Sequence, residues 1–158
     1  MSSNLKTIHK VVEIAEKRRK DALLALGQVQ REWHMANDQM QQLQSYAREA
    51  EQRWELRSGA GVDAAMLHHH RHFMQKMQHA IEFQTGVLTE RQQRVDQAQA
   101  QVFAAERDVA GLRKYAERKQ QALTAQIGRQ EQKATDEMAL NIHLRQRLAM
   151  QSRGGLQA

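Results

Sequence analysis

The residues with the most obvious chemical potential are the histidines of HHHRH, His68 to His72. On a helix, His68 and His72 lie one turn apart and could chelate a divalent metal. Two imidazoles make half a site, and no Asp or Glu stands close enough on the same face to complete it. Solvent-facing imidazoles beside a loop, with His70 on a packing seam, are therefore expected. Because imidazole titrates near neutrality, such a stretch could also respond to pH. A second run, KRRK at Lys17 to Lys20, could bind nucleic acid or acidic lipid. Pairing of Glu13 with Lys17 and Glu16 with Lys20 at the favoured spacing makes a solvated helix face the expected state instead. Asp136 and Glu137 are neighbours on a helix, too exposed to be tuned as acid and base. There is no glycine-rich phosphate loop, no Ser–His–Asp arrangement with a fold to hold it, and no Cys to serve as nucleophile or zinc ligand. No catalytic residue, cofactor or metal is expected, and the chain reads as a non-enzyme.

The elements that would position these residues follow from composition. The chain has 158 residues, no Pro, no Cys, 8 Gly, 7 aromatics and a formal charge of +6. That length suits one domain. Scarce aromatics and absent Pro argue against a β-rich fold, whereas abundant Ala, Gln, Glu, Arg, Lys and Leu are the composition of long helices. Apolar residues are nowhere contiguous for long enough to cross a bilayer. The N-terminal MSSNLKTIHK lacks the apolar core of a signal peptide, so a cytoplasmic location is expected.

One place breaks the helical pattern. Ser58-Gly59-Ala60-Gly61-Val62-Asp63 holds two close glycines and a good N-cap in Asp63. Before it, seam positions step by three and four without a slip: Leu5, Ile8, Val12, Ala15, Arg19, Ala22, Leu26, Val29, Trp33, Ala36, Met40, Leu43, Ala47, Ala50 and Trp54. After it the steps recur from Leu67 through His70, Met74, Met77, Ile81, Gln84, Leu88 and Arg91 to Ala116, Lys119 and Leu123. A strict seven-residue repeat specifies a left-handed coiled coil. The expected fold is all-α, a long antiparallel two-helix coiled-coil hairpin with a longer second helix. Residues 1–151 form that single hairpin, with helices at about 4–57 and 63–151 and the loop at 58–63; residues 152–158 are a flexible tail.

In an antiparallel pair, facing residue numbers would sum to 117 or 124. The second value alternates small with large better, setting Ala50 against Met74 and Leu26 against Ala98, and it places Trp33 beside Arg91 for a cation–π contact. At 1.5 Å per residue the helices are about 80 and 130 Å long. The first runs out near Lys119 of the second. From Gln120 to Met150 an apolar stripe that includes Leu123, Ile127, Met138 and Ile142 is left without an intrachain partner. An Ala-rich seam buries little area, so marginal stability and stabilisation by a partner are expected.

Tyr46 and Phe73 fall beside the seam near the loop, and are candidates for a contact site. Gln39-x3-Leu43-x2-Tyr46 and Phe73-x3-Met77-x2-Ala80-Ile81, with Glu131-Gln132-Lys133-Ala134-Thr135-Asp136-Glu137 near the C-terminus, resemble short motifs of the flagellar export protein FliJ family. Nearly the whole chain is similar to that family in length, charge and two-helix layout. It departs from the family pattern at Ala50, where the pattern has Tyr, at Met77 in place of Leu, and at Gln84 in place of His.

The resemblance implies a cytoplasmic, non-enzymatic component of the flagellar type III protein export apparatus, peripheral to the inner membrane at the flagellar base. It implies a stalk-like coiled coil that promotes assembly of the hexameric export ATPase ring and contacts the cytoplasmic domain of the export gate and export chaperones. Motility and chemotaxis would depend on it. Carried over by motif position, the gate-facing residues are Gln39, Leu43, Tyr46, Phe73, Met77 and Ala80. The ring-facing residues are expected in the overhang, at Leu123, Ile127, Met138 and Ile142. The alternatives are the stalk of a virulence type III secretion system, or a basic coiled-coil adaptor for nucleic acid. The lack of base-stacking aromatics argues against the last.

Overall fold

The computed structural model describes residues 2–156 and contains two helices, α1 (Ser2–Ser58) and α2 (Ala64–Leu156). There is no strand among the described residues. Together they form a helical hairpin, and the loop that turns it is short. Ala60 N–H donates to Arg57 O and Gly61 N–H to Ser58 O, at 3.1 and 3.3 Å, which tightens the end of α1. Gly61 adopts φ +96°, a conformation closed to most L-residues, and this is where the loop requires glycine. Asp63 then caps α2, its Oδ1 accepting from Met66 N–H at 2.8 Å.

The contacts divide the chain into two compact units. One spans Ile14–Val109 and contains the loop; the other joins the start of α1, up to Glu13, with α2 from Ala110 onward. In the loop-containing unit Ala15, Ala36, Met40, Ala98, Val102 and Val109 are buried, all of them seam positions. All fifteen expected α1 seam residues are buried or half-buried. Several contacts fix the register. Trp54 stacks on His70, a pair whose numbers sum to 124, and Gln84, Arg94 and Glu106 reach Ala36, Glu32 and Arg19. A register of 117 would have set Trp54 against Asp63, and the stacking of Trp54 on His70 excludes it.

Four details differ from the sequence reading. Arg91 does not sit over Trp33. Its Nη1 lies 2.6 Å from Glu90 Oε2, while Trp33 makes an edge contact with the His34 ring at 5.1 Å. A carboxylate at bonding distance outcompetes the weaker pull of an indole face, worth about 0.5–1 kcal/mol when exposed. Leu67 and Lys119, placed on the seam, are exposed. Lys119 instead sets its ammonium 5.6 Å from the centre of the Tyr115 ring. In the other unit α1 already begins at Ser2, and Asn4, Leu5 and Ile8 share a groove with Lys119, Ala122, Leu123 and Gln126. Pairing thus extends beyond Gln120, and Leu123 is half-buried. Finally, α2 continues through Gly154 and Gly155 to Leu156, where a flexible tail from 152 was expected. Isolated glycines cost a helix about 1 kcal/mol each without ending it. Residues 157 and 158 of that expected tail lie outside the described residues.

Candidate partner-binding site

Beside the loop the two helices line an open cleft of about 800 Å3. On α1, Tyr46, Ala50 and Trp54 occupy successive turns of one face and all line it. On α2, Met66, His69, His70 and Phe73 complete it. Tyr46 is 58% exposed and Phe73 41%, whereas Trp54 is half-buried. The Trp54 and His70 rings lie parallel, 5° apart in plane and 4.3 Å between centroids. His70 Nε2 is 3.7 Å from Glu51 Oε2, an ion pair when the imidazole is protonated.

The structure therefore brings together Tyr46 and Phe73 of the expected gate-facing residues, in one cleft. Leu43, Met77 and Ala80 are half-buried and do not line it. Gln39 is exposed and uses its Oε1 to accept from Gln84 Nε2 at 3.3 Å. The seam pattern had placed Trp54 and His70, but not their stacking on each other. Leu56 and Met66 carried no sequence signal, because they lie off the seven-residue repeat and only the turn of the chain brings them to the cleft. His68, His69 and His72 are exposed. No group of three or more His, Asp or Glu is arranged to hold a metal among the described residues.

The second candidate surface is the last part of α2. Every described side chain from 127 to 155 is exposed. Ile127, Met138 and Ile142 stand there as expected, but so do Leu140, Leu144, Leu148 and Met150. At 100° per residue, the run from Leu140 through Leu144, Leu148 and Met138 to Ile142 spans about 200° of the circumference. The sequence reading took a single stripe, and so passed over Leu140 and Leu144. Arg145, Arg147 and Arg153 are the charged residues between 138 and 155, with no Asp or Glu among them. Charge follows the same division. Residues 14–109 hold thirteen basic and thirteen acidic side chains, and the remaining residues eleven and five, so the whole +6 belongs to the latter. No described helix is long and apolar enough to cross a membrane.

The sequence profile of the flagellar FliJ protein matches residues 5–148. No individually curated protein matches the chain by sequence. Among solved structures, a protein described as a YscO homolog, CT670 from Chlamydia trachomatis, superposes with a TM-score of 0.71 at 16% identity, over 89% of this chain and 91% of that one. That likeness is one of fold.

Proposed function

Because the chain belongs to the flagellar FliJ protein family, whose members are components of type III export, we propose that it is a stalk-like part of the flagellar export apparatus, working in the cytoplasm without catalysis of its own. The observation that carries this reading is the exposed end of α2. Its apolar residues are spread over more than half of the circumference, with Glu137, Asn141 and Arg145 among them, so only a partner that surrounds the helix would cover them all. A single flat docking face would leave Leu140 or Ile142 in water, whereas the pore of a hexameric export ATPase would cover both. The unopposed arginines at 145, 147 and 153 suit an acidic lining and make the association sensitive to salt.

On this reading the chain promotes ring assembly, and Tyr46 and Phe73 meet the cytoplasmic domain of the export gate. Export chaperones are further partners, and contact with the inner membrane is made through partners alone. The test is ATP turnover by the cognate flagellar export ATPase with and without the chain, alongside electron microscopy of the rings. Faster turnover and more rings are expected. Leu140→Asp with Leu144→Asp should remove both effects while circular dichroism at 222 nm stays unchanged. No effect from the folded wild-type chain, or stimulation restricted to the ATPase of a virulence secretion system, would overturn the flagellar stalk reading.

A further inference from the structure

We propose that the cleft beside the loop is a peptide-binding site that takes a short acidic segment of a partner carrying one large apolar side chain. It extends the gate-facing reading, with which it shares Tyr46 and Phe73, but it rests on its own geometry. At about 800 Å3 the cleft is of a size that holds a large side chain and the backbone on either side of it. Its origin is local. Tyr46 and Trp54 stand one turn to either side of Ala50, whose methyl group leaves the space between the two rings open. Leu56, also lining the cleft, is 81% exposed, so the apolar side chains gathered here find little cover within the chain.

The walls are set before any partner arrives. Trp54 is held against His70, and the start of α2 is fixed by the Asp63 cap. A site built from helical residues in this way loses little freedom on binding. Charge decides the chemistry of the occupant. Two guanidinium-bearing residues, Arg53 and Arg57, line the cleft against one carboxylate, Asp63, which keeps its charge while it accepts from Met66 N–H. Arg53 meets Glu49 at 3.4 Å in an exposed pair, which water and salt weaken. The sign presented to a ligand is therefore positive. A membrane surface is the less suitable occupant. Two arginines fall short of the roughly four to eight clustered basic residues that hold a protein to anionic lipid.

The experiment uses the full chain and a synthetic 14-residue peptide in which Asp and Glu flank one Phe. Binding is followed by Trp54 fluorescence in a Trp33→Phe background and by calorimetry on the unaltered chain. Saturable binding is expected, at least tenfold weaker when the peptide's Phe is replaced by Ala. Arg53→Glu with Arg57→Glu should weaken it at least tenfold as well. Ala50→Trp should fill the cleft and abolish binding with helicity retained, and Lys17→Gln with Lys20→Gln should change nothing. Equal affinity for a Lys-flanked peptide, preference for phosphatidylglycerol vesicles, or no binding at millimolar peptide by the folded chain would each overturn the proposal. So would unchanged binding by the arginine double variant, which keeps the test decisive should Ala50→Trp fail to fold. The gate reading is judged separately, by binding of the gate's cytoplasmic domain to the chain with Tyr46→Ala and Phe73→Ala.

Discussion

Gln84 is a buried polar residue in an otherwise apolar stretch of the seam, and its amide shows how this protein settles one register over another. Its Nε2 donates to Ala36 O at 2.7 Å and to Gln39 Oε1 at 3.3 Å. Ala36 O lies in mid-helix and already receives the N–H four residues on, so the amide adds a bond without being needed to satisfy the backbone. The contribution of such a bond is about 0.5–1.5 kcal/mol net, and the loss of the side chain's volume adds to it. Gln84→Ala should therefore lower stability by about 1–3 kcal/mol, whereas Gln84→Leu, which keeps the volume, should stay within about 1 kcal/mol of the wild type. Urea unfolding followed at 222 nm checks both. Equal losses would mean that the hydrogen bond, not the packing, is what holds the position. The heptad steps announced Gln84 as a polar residue on the seam. They could not announce its partner, because a carbonyl 48 residues away enters only once the register is known. Arg91 teaches the converse. Two registers were open, the correct one set Arg91 beside Trp33, and yet its neighbour Glu90 took the charge.

At the scale of elements, the two helices were legible because the signals agreed: unbroken seam steps, no Pro, and glycines that come in close pairs only at the loop and at 154–155. The loop's internal geometry was less so, since two glycines flank Ala60 and only Gly61 has the positive φ. This distinction makes a prediction. Gly61→Ala forces an L-residue into left-handed space and should destabilise by about 1–2 kcal/mol, even though no atom lies within 4 Å of the added Cβ. Gly128→Ala, in an exposed helix interior with open space around the Cβ, should raise the helix signal and stabilise by up to about 1 kcal/mol. Asp63→Ala should cost about 1 kcal/mol through the lost cap on Met66 N–H. Thermal melts of the three variants give the comparison. A harmless Gly61→Ala would show that the loop has other conformations of equal energy. Tyr46→Ala with Phe73→Ala, both exposed, should leave the melt nearly unchanged and weaken gate binding; a large loss of helicity would make the pair structural.

For the whole molecule, the chief consequence is that pairing and exposure trade places along α2. No described side chain is fully buried, and the buried seam residues are mostly Ala and Val, which gain less on burial than Leu or Phe. Stability then rests on the length of the paired stretch and on partners, which raise it by mass action. Residues 122–126 belong to the paired part, since Ala122, Leu123 and Gln126 share a groove with Leu5 and Ile8, whereas every described side chain from 127 on is exposed. The sequence put the boundary near Lys119 because it started α1 at residue 4 and counted helix lengths, whereas the groove that holds Leu5 and Ile8 reaches Gln126. A chain ending at Ile127 should keep the melting temperature of the full chain and lose stimulation of the export ATPase. A chain ending at Lys119 should lose that stimulation and also melt several degrees lower, because Leu5 and Ile8 lose their cover. If both truncations melt alike, the groove near the start of α1 contributes nothing to stability. If the longer truncation still stimulates the ATPase, the exposed apolar segment is not what the ring grips, and the stalk reading would have to move to the paired part of the hairpin.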